Sequence, residues 1–515
     1  MAPKETSSEK VFADDKEEST QERGTQVQSS HGTGPSSTFT HCNSKEPYEA
    51  YQHPYSCPVK VNKSLNLHLG MPFNPRKVKS LRVLCKLLSD LLALVESHLF
   101  RVFEAIPLRL RQAFLTKVWS LYLPLHRATL TDKTGIHRDA SFEYHALTTV
   151  MYWGRLFPVT IRRIRYSLSM LPVYQGHGVY PKSSIKQSEI RVDKIHFDMN
   201  KNEGPLMKLL SQRESVRHVS GYYVHNDNGD ESSNKSKKVI FYLYGGAFLG
   251  GDAKGNVPFG SKLSQKCNMD VFLPQYRLLP EYHFFDCLDD IIRAYAFLIE
   301  VKNIDPEDVI LFGISSGGGL IIRLLQRIVE LQNSKESLKC KGMLKIPSGA
   351  VLMSPFVDYT TPKGSFQEYT VHDLIVNEVS CIILSWKWRV LAIPLASVAS
   401  NAIRAHLEFV QSVFEEGTPY FSTLGDDTVR FEESPVNRSL KGLPPICLIV
   451  SEHECVYDQN IDLCNKAREA GVGVDLGVWK YMCHVWPVLT AFIPEARSAV
   501  DFICDWIDGR ENRKE

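Results

Sequence analysis

The chain has no run of about 18 apolar residues free of charge, the length a helix needs to cross a bilayer. Two stretches come nearest. Residues 81–100 are interrupted by Arg82, Lys86, Asp90 and Glu96, and residues 390–403 lie between Arg389 and Arg404 and contain Pro394. The opening MAPKETSSEKVFADDKEEST holds no apolar core, so no cleavable signal peptide is expected. An excess of one charge is also missing. Sixty Lys and Arg against 58 Asp and Glu leave a formal net charge of +2, which argues against a general nucleic-acid binder. The 12 cysteines include no C-x-x-C pair and no zinc spacing. Cys381, Cys447 and Cys504 sit inside apolar runs, as buried free thiols do. A reducing, cytoplasmic setting without a disulfide framework is therefore expected.

What is present is enough apolar sequence, 43% of 515 residues, for a large core. Residues 1–60 stand apart, being rich in Ser, Thr, Glu, Lys and Gly and poor in periodicity, and are read as a disordered tail. Between 78 and 127 apolar residues recur at three- and four-residue steps (Leu84, Leu87, Leu88, Leu91, Val95, Leu99, Val102), the period of an amphipathic helix. Arg82, Lys86, Arg101, Arg109, Arg111 and Lys117 outweigh the acids there. Such a basic face either packs on the domain behind it or gives peripheral contact with an anionic membrane.

The second half has a different rhythm. Runs at 239–244, 271–275, 309–312, 350–353, 446–450 and 474–480 read as strands, with helices expected at 288–301, 317–332, 458–470 and 495–506. The strands are apolar throughout, not alternating, which is the pattern of a mostly parallel sheet covered on both faces. An antiparallel strand is expected around 216–227. About 75 residues, 360–433, interrupt the alternation, and an insertion of that length usually covers a site.

Gly313-Ile314-Ser315-Ser316-Gly317 lies between the strand DVILF and the helix LIIRLLQRIVEL. A turn that tight strains its central residue and excludes side chains two positions to either side, so Ser315 would project its hydroxyl above the sheet edge. Ser316 is the poorer nucleophile, because its own register is flanked by Ile314 and Gly318. A phosphate loop is excluded by the lack of a G-K-[ST] lysine or a G-x-G-x-x-G spacing. A nucleophilic serine needs a base, an acid to orient the base and donors for an oxyanion. His484, after the last strand run, is the candidate base. Glu454, after the preceding run, is the candidate acid, with Glu452 expected at the strand end and Asp458 expected to cap the next helix. Gly245 and Gly246, after the strand VIFYLY, and the Ser316 N–H are the candidate oxyanion donors.

These motifs resemble those of the hormone-sensitive-lipase branch of the α/β-hydrolases over roughly residues 216–508. YGGAF stands where the family has H-G-G-G-[FW], QYRLLPEYHFFDCLDD where it has D-Y-R-L-A-P-E-x-x-F-P-A-A-x-x-D, GISSGGG for G-D-S-A-G-G, and MSPFVD at the next strand end. The stretch from SPVNRSLKGLPP to YMCHVW is similar to esterases grouped with steryl acetyl hydrolases and monoterpene lactone hydrolases. The resemblance implies an α/β-hydrolase fold with a mostly parallel sheet and helices on both faces. It also implies a cap built from the N-terminal helical region, 61–215, and the insertion, on a catalytic domain spanning 216–515. It further implies Ser315, Glu454 and His484 as nucleophile, acid and base of a serine esterase. Trp386, Trp388, Phe409 and Phe414 of the insertion suggest an apolar ester of small to moderate size, and the mechanism needs no metal or cofactor. Arg277, Glu281 and Asp286 match a motif that is structural in the family. Tyr244 and Ala247 replace the motif's His and third Gly, Ile314 its Asp and Ser316 its Ala. The altered loop leaves a catalytically silent binding protein as one alternative, and a membrane-docked lipid deacylase as another.

Overall fold

The computed structural model describes residues 106, 108–129, 140–147, 190–198, 204–210, 218–226, 238–279, 282–332, 334, 340, 342–360, 365 and 431–511. The tail at 1–60, the basic stretch before 106, Glu281 and all of the 360–433 insertion except Thr360, Ser365 and 431–433 lie outside these residues. So do the insertion's aromatics Trp386, Trp388, Phe409 and Phe414.

Eight strands form one sheet. They are β1 (Ile190–Asp198), β2 (His218–Asn226), β3 (Val239–Leu243), β4 (Asp270–Gln275), β5 (Val309–Ile314), β6 (Gly349–Met353), β7 (Ile446–Ser451) and β8 (Val474–Trp479). Their order across the sheet is β1-β2-β4-β3-β5-β6-β7-β8. β1 and β2 pair antiparallel and β2 joins β4 antiparallel, while every pairing from β4 to β8 is parallel. Every residue of β3, β5, β6 and β7 is buried, which explains why the sequence shows apolar runs in place of alternation.

Parallel neighbours require crossovers, and helices supply them. The described helices include α1 (Leu108–Thr129), α2 (Pro205–Leu210), α3 (Ala253–Cys267), α4 (Phe284–Ala296), α5 (Ser316–Gln332), α6 (Tyr457–Glu469) and α7 (Pro494–Glu511). None among the described residues is long and apolar enough to cross a membrane.

Two elements escaped the sequence reading. β1 lies in the stretch assigned to the N-terminal helical region, so the sheet begins at Ile190, well before residue 216. The other is α3, whose Gly255, Asn256, Pro258 and Gly260 score poorly as helix formers. Tertiary partners override that weakness. The Asp252 side chain caps the first turn by accepting from the Gly255 N–H (2.5 Å), and Asn268 closes the end in a left-handed conformation. Asn256 accepts from the buried Tyr242 hydroxyl (2.8 Å), and the bare face at Gly260 lets Leu273 of β4 pack close.

The insertion leaves and rejoins the domain at one place. The Tyr359 N–H donates to Ser434 Oγ (2.7 Å), so the two ends of the 360–433 excursion meet. Glu433 is held by Arg323 of α5, 6% exposed, at 2.6 Å. Ser365 lies against the start of α6, its hydroxyl donating to the Cys455 carbonyl and its N–H to Asp458 (2.7 Å). The root of the insertion thus sits beside the loop that carries Glu454.

Candidate active site

Ser315 occupies the turn from β5 into α5 with φ of 51°, a left-handed conformation that non-glycine residues adopt only when their surroundings impose it. The surroundings are tight. A Cβ on Gly313 would meet the Gly318 Cα at 2.5 Å, and one on Gly317 would meet the Leu243 and Tyr244 carbonyls at 2.5 Å. The Ser315 N–H donates to the Met353 carbonyl and its own carbonyl accepts from Phe356, so β6 and its following loop clamp the strained residue from both sides (2.9 Å each).

His484 Nε2 lies 2.8 Å from Ser315 Oγ, and His484 Nδ1 lies 2.8 Å from Glu454 Oε2. The residues are 169 and 30 positions apart in the chain and meet at the carboxyl ends of β5, β7 and β8. Glu454 is fully buried and His484 is 3% exposed. The other Glu454 oxygen accepts from the Ser451 N–H (2.9 Å), so each carboxylate oxygen has its own donor and the side chain cannot swing from the ring. The turn after His484 is held too, with Val485 at φ of 52° and its N–H reaching Ser354 Oγ (3.4 Å). An imidazole that can take a hydroxyl proton at one nitrogen, while a buried carboxylate holds the other, turns an alcohol into a nucleophile.

The neighbouring acids are engaged elsewhere. Glu452 follows the end of β7 and donates its N–H to the Trp479 carbonyl. Asp458 is in the first turn of α6, with Val456 in the capping position, and accepts from Ser365.

Gly245 and Gly246 form the loop facing Ser315. A Cβ on Gly245 would meet the Ile314 carbonyl oxygen at 2.8 Å and Ser315 Cβ at 2.9 Å, so the loop backbone lies directly against the serine turn. Gly246 has φ of 137°, a value open to glycine, and its carbonyl accepts from Leu249 and Gly250. Among the described residues no acceptor takes the N–H of Gly245, Gly246 or Ser316. The Ser316 N–H opens α5, where a helix leaves donors unspent and carries partial positive charge. The Ser316 side chain is fully buried and accepts from the Phe248 N–H (3.3 Å). That bond ties the glycine loop to the helix start and gives the Ser in place of the motif's Ala a fastening role.

Tyr244, in place of the motif's His, is buried and stacks on Tyr276 with ring centroids 4.3 Å apart. The Tyr276 hydroxyl donates to the Tyr244 carbonyl (2.7 Å), and Gln275 Nε2 donates to the Tyr244 hydroxyl (2.8 Å). Burial raises both phenols well above their ordinary range, so they stay neutral donors. Tyr276 and Ser354 are supports that the sequence reading did not single out, although both lie in motifs it quoted. Replacing Tyr276 with Phe removes the bond to the Tyr244 carbonyl and should destabilise the protein by about 1–3 kcal/mol, read by thermal denaturation; unchanged stability would show that the clasp carries no weight.

Arg277 pairs with Asp290 (2.9 Å) and Asp286 (3.5 Å) and donates to the Asp286 carbonyl, anchoring the loop after β4 on α4.

Residues 240–488 match the α/β-hydrolase fold family. An esterase of Acinetobacter venetianus is 27% identical over 305 residues, 58% of this chain and 85% of that protein. An acetyl-hydrolase of Streptomyces hygroscopicus is 25% identical over 264 residues, 51% of this chain and 73% of its own length. The fold is also that of an esterase from Pyrobaculum calidifontis, with a TM-score of 0.50 at 16% identity, covering 70% of this chain and 97% of that one. Residues 240–488 therefore carry the α/β-hydrolase fold, and the motifs of the chain resemble those of the hormone-sensitive-lipase-like branch.

Proposed function

We propose that the protein is a serine hydrolase that cleaves carboxylic esters of small to moderate apolar substrates through an acyl-enzyme. The observation that supports this most is the unbroken chain Ser315 Oγ, His484 and Glu454, two contacts of 2.8 Å drawn from three distant segments. The similarity to proteins named esterase and acetyl-hydrolase agrees with it. Ser315 attacks the ester carbonyl while His484 takes its proton, and Glu454 holds the ring and stabilises its charged form. The N–H groups of Gly245, Gly246 and Ser316 receive the oxyanion, and losing one such donor typically costs about 10²–10³ in kcat. His484 then protonates the leaving alcohol, and water repeats the sequence on the acyl-serine. A fluorophosphonate probe tests the reading. It should label the native chain at Ser315, and labelling that survives Ser315→Ala would overturn it.

The acid supplies a second test. Glu454→Gln keeps the shape but removes the charge that compensates the imidazolium, so kcat for a nitrophenyl ester should fall by about 10³–10⁴ with KM little changed. A loss of less than tenfold would assign the role to another group.

In this reading the part of the 61–215 region that precedes β1 and the 360–433 insertion form the cap over the acyl pocket, residues 1–60 are a solvated tail, and the protein works in the cytoplasm. Peripheral membrane contact would run through α1. Its sequence has Arg109, Arg111, Lys117 and Arg127 and no Asp or Glu, and Leu110, Phe114, Val118 and Leu121 are exposed along it. Trp119 meets Phe492 edge-on at 5.3 Å, close in sequence to the His484 loop. Co-sedimentation with anionic vesicles should be lost in a Leu110→Ser, Leu121→Ser double variant; equal pelleting of variant and wild type would exclude this contact.

A further inference from the structure

At the C-terminal end of α3, a cysteine faces a second one on α7. Cys267 Sγ donates to Cys504 Sγ of α7 at 3.0 Å. Both are free thiols, 2% and 6% exposed. The sequence reading treated Cys504 as one buried thiol among several, because 237 residues separate the two. A disulfide needs its sulphurs about 2.05 Å apart, so closing this pair takes a movement of about 1 Å.

The surroundings differ from those of an ordinary buried cysteine. Charged groups of both helices lie near the pair, Lys262 and Lys266 of α3 and Arg497, Asp501 and Asp508 of α7, and Lys266 forms an ion pair with Asp501 across the two helices. Burial first, then the positive charges of Lys266 and Arg497, push Lys262 down to about 8, whereas Asp501 and the Cys504 sulphur act in the opposite sense. Positive charge therefore stands near the pair, one feature of the surroundings of reactive thiols. The hydrogen bond to Cys504, then burial, raises the Cys267 thiol far above its ordinary range and keeps it in the donor role.

We propose that Cys267 and Cys504 form a redox-active dithiol that hydrogen peroxide closes reversibly to a disulfide, joining α3 to α7. The Cys504 thiolate attacks one peroxide oxygen, the O–O bond breaks, and hydroxide leaves as water once protonated. The resulting sulfenic acid is attacked by the Cys267 sulphur, the S–O bond breaks and a second water leaves. Two thiols and one peroxide thus give one disulfide and two waters, and an external thiol restores the pair. Peroxide is small and uncharged, which suits a pair this buried. The bond would tie the helix that follows the Gly245–Gly251 loop to the helix that follows the His484 loop, and it closes a long segment of chain.

The test uses the full chain, reduced and then exposed to about one equivalent of hydrogen peroxide without denaturant, followed by alkylation and peptide mass analysis. Expected is a peptide pair joined through Cys267 and Cys504, separated again by dithiothreitol, with the melting temperature of the oxidised protein raised by about 4 °C or more. In Cys267→Ser the sulfenic acid should persist at Cys504, captured by dimedone, and the rise should vanish. The proposal is overturned if peroxide modifies other cysteines while these two stay alkylatable, or if they pass separately to sulfinic acids with no joined peptide. The wild-type mass measurement decides the matter even if a variant folds poorly, and it is independent of whether the protein hydrolyses esters.

Discussion

Ser315→Ala is expected to lower kcat on a nitrophenyl ester by about 10⁴–10⁶ while leaving the fold in place. The size of the effect follows from how the site is assembled. The neighbouring hydroxyl of Ser316 is no substitute, because Ser316 is fully buried and accepts from the Phe248 N–H. The Ser315 side chain, by contrast, makes the 2.8 Å contact with Nε2. Residual turnover would come only from the backbone donors and from binding. A Ser315→Gly variant separates chemistry from strain. It should be equally inactive, yet because the native φ of 51° suits glycine, it should be no less stable than Ser315→Ala. If Ser315→Ala kept even a tenth of the activity, the acyl-enzyme route would have to be abandoned.

Gly317→Ala should produce a large loss of stability from a single methyl group. The added Cβ would stand 2.5 Å from two backbone oxygens, those of Leu243 and Tyr244, and backbone cannot step aside as a side-chain tip can. Relieving the clash means driving α5 away from the end of β3, which also spreads the Ser316 N–H from the Gly245–Gly246 loop. A cost of at least about 3 kcal/mol is expected, with activity lost together with the fold. Equilibrium urea unfolding measures it. Gly342→Ala, where an added Cβ meets nothing within 4 Å, is the matched control and should change little. Similar midpoints for the two variants would mean that the turn is looser than its contacts indicate.

The parallel sheet was legible because its strands are buried on both faces and therefore apolar without a break, a signal that survives in one dimension. The glycines at 313 and 317 were legible for a related reason, since a strand-to-helix turn of that length has no space for a side chain and the letters themselves record the restriction. β1 was not legible. Its sequence IRVDKIHFD alternates and lies at the sheet edge, where one face is solvated and charges are tolerated, so it carries little apolar signal of its own. Nor was α3, whose glycines and proline are compensated by a cap at Asp252 and a buried bond to Tyr242 contributed from elsewhere.

For the candidate site the division is similar. Residue type and chain order named Ser315, Glu454, His484 and the glycine loop, because each stands just past a strand and strand ends in a parallel sheet share one edge. Sequence alone could not show that the Glu454 carboxylate divides its two oxygens between His484 and Ser451, or that Tyr244 is turned away to clasp Tyr276. It equally could not show that cysteines 237 positions apart touch. Local patterning and steric exclusion are properties of neighbours in the chain and so are written in its order of residues. Pairings across the sheet and between helices depend on how those elements pack, and only the folded arrangement decided them.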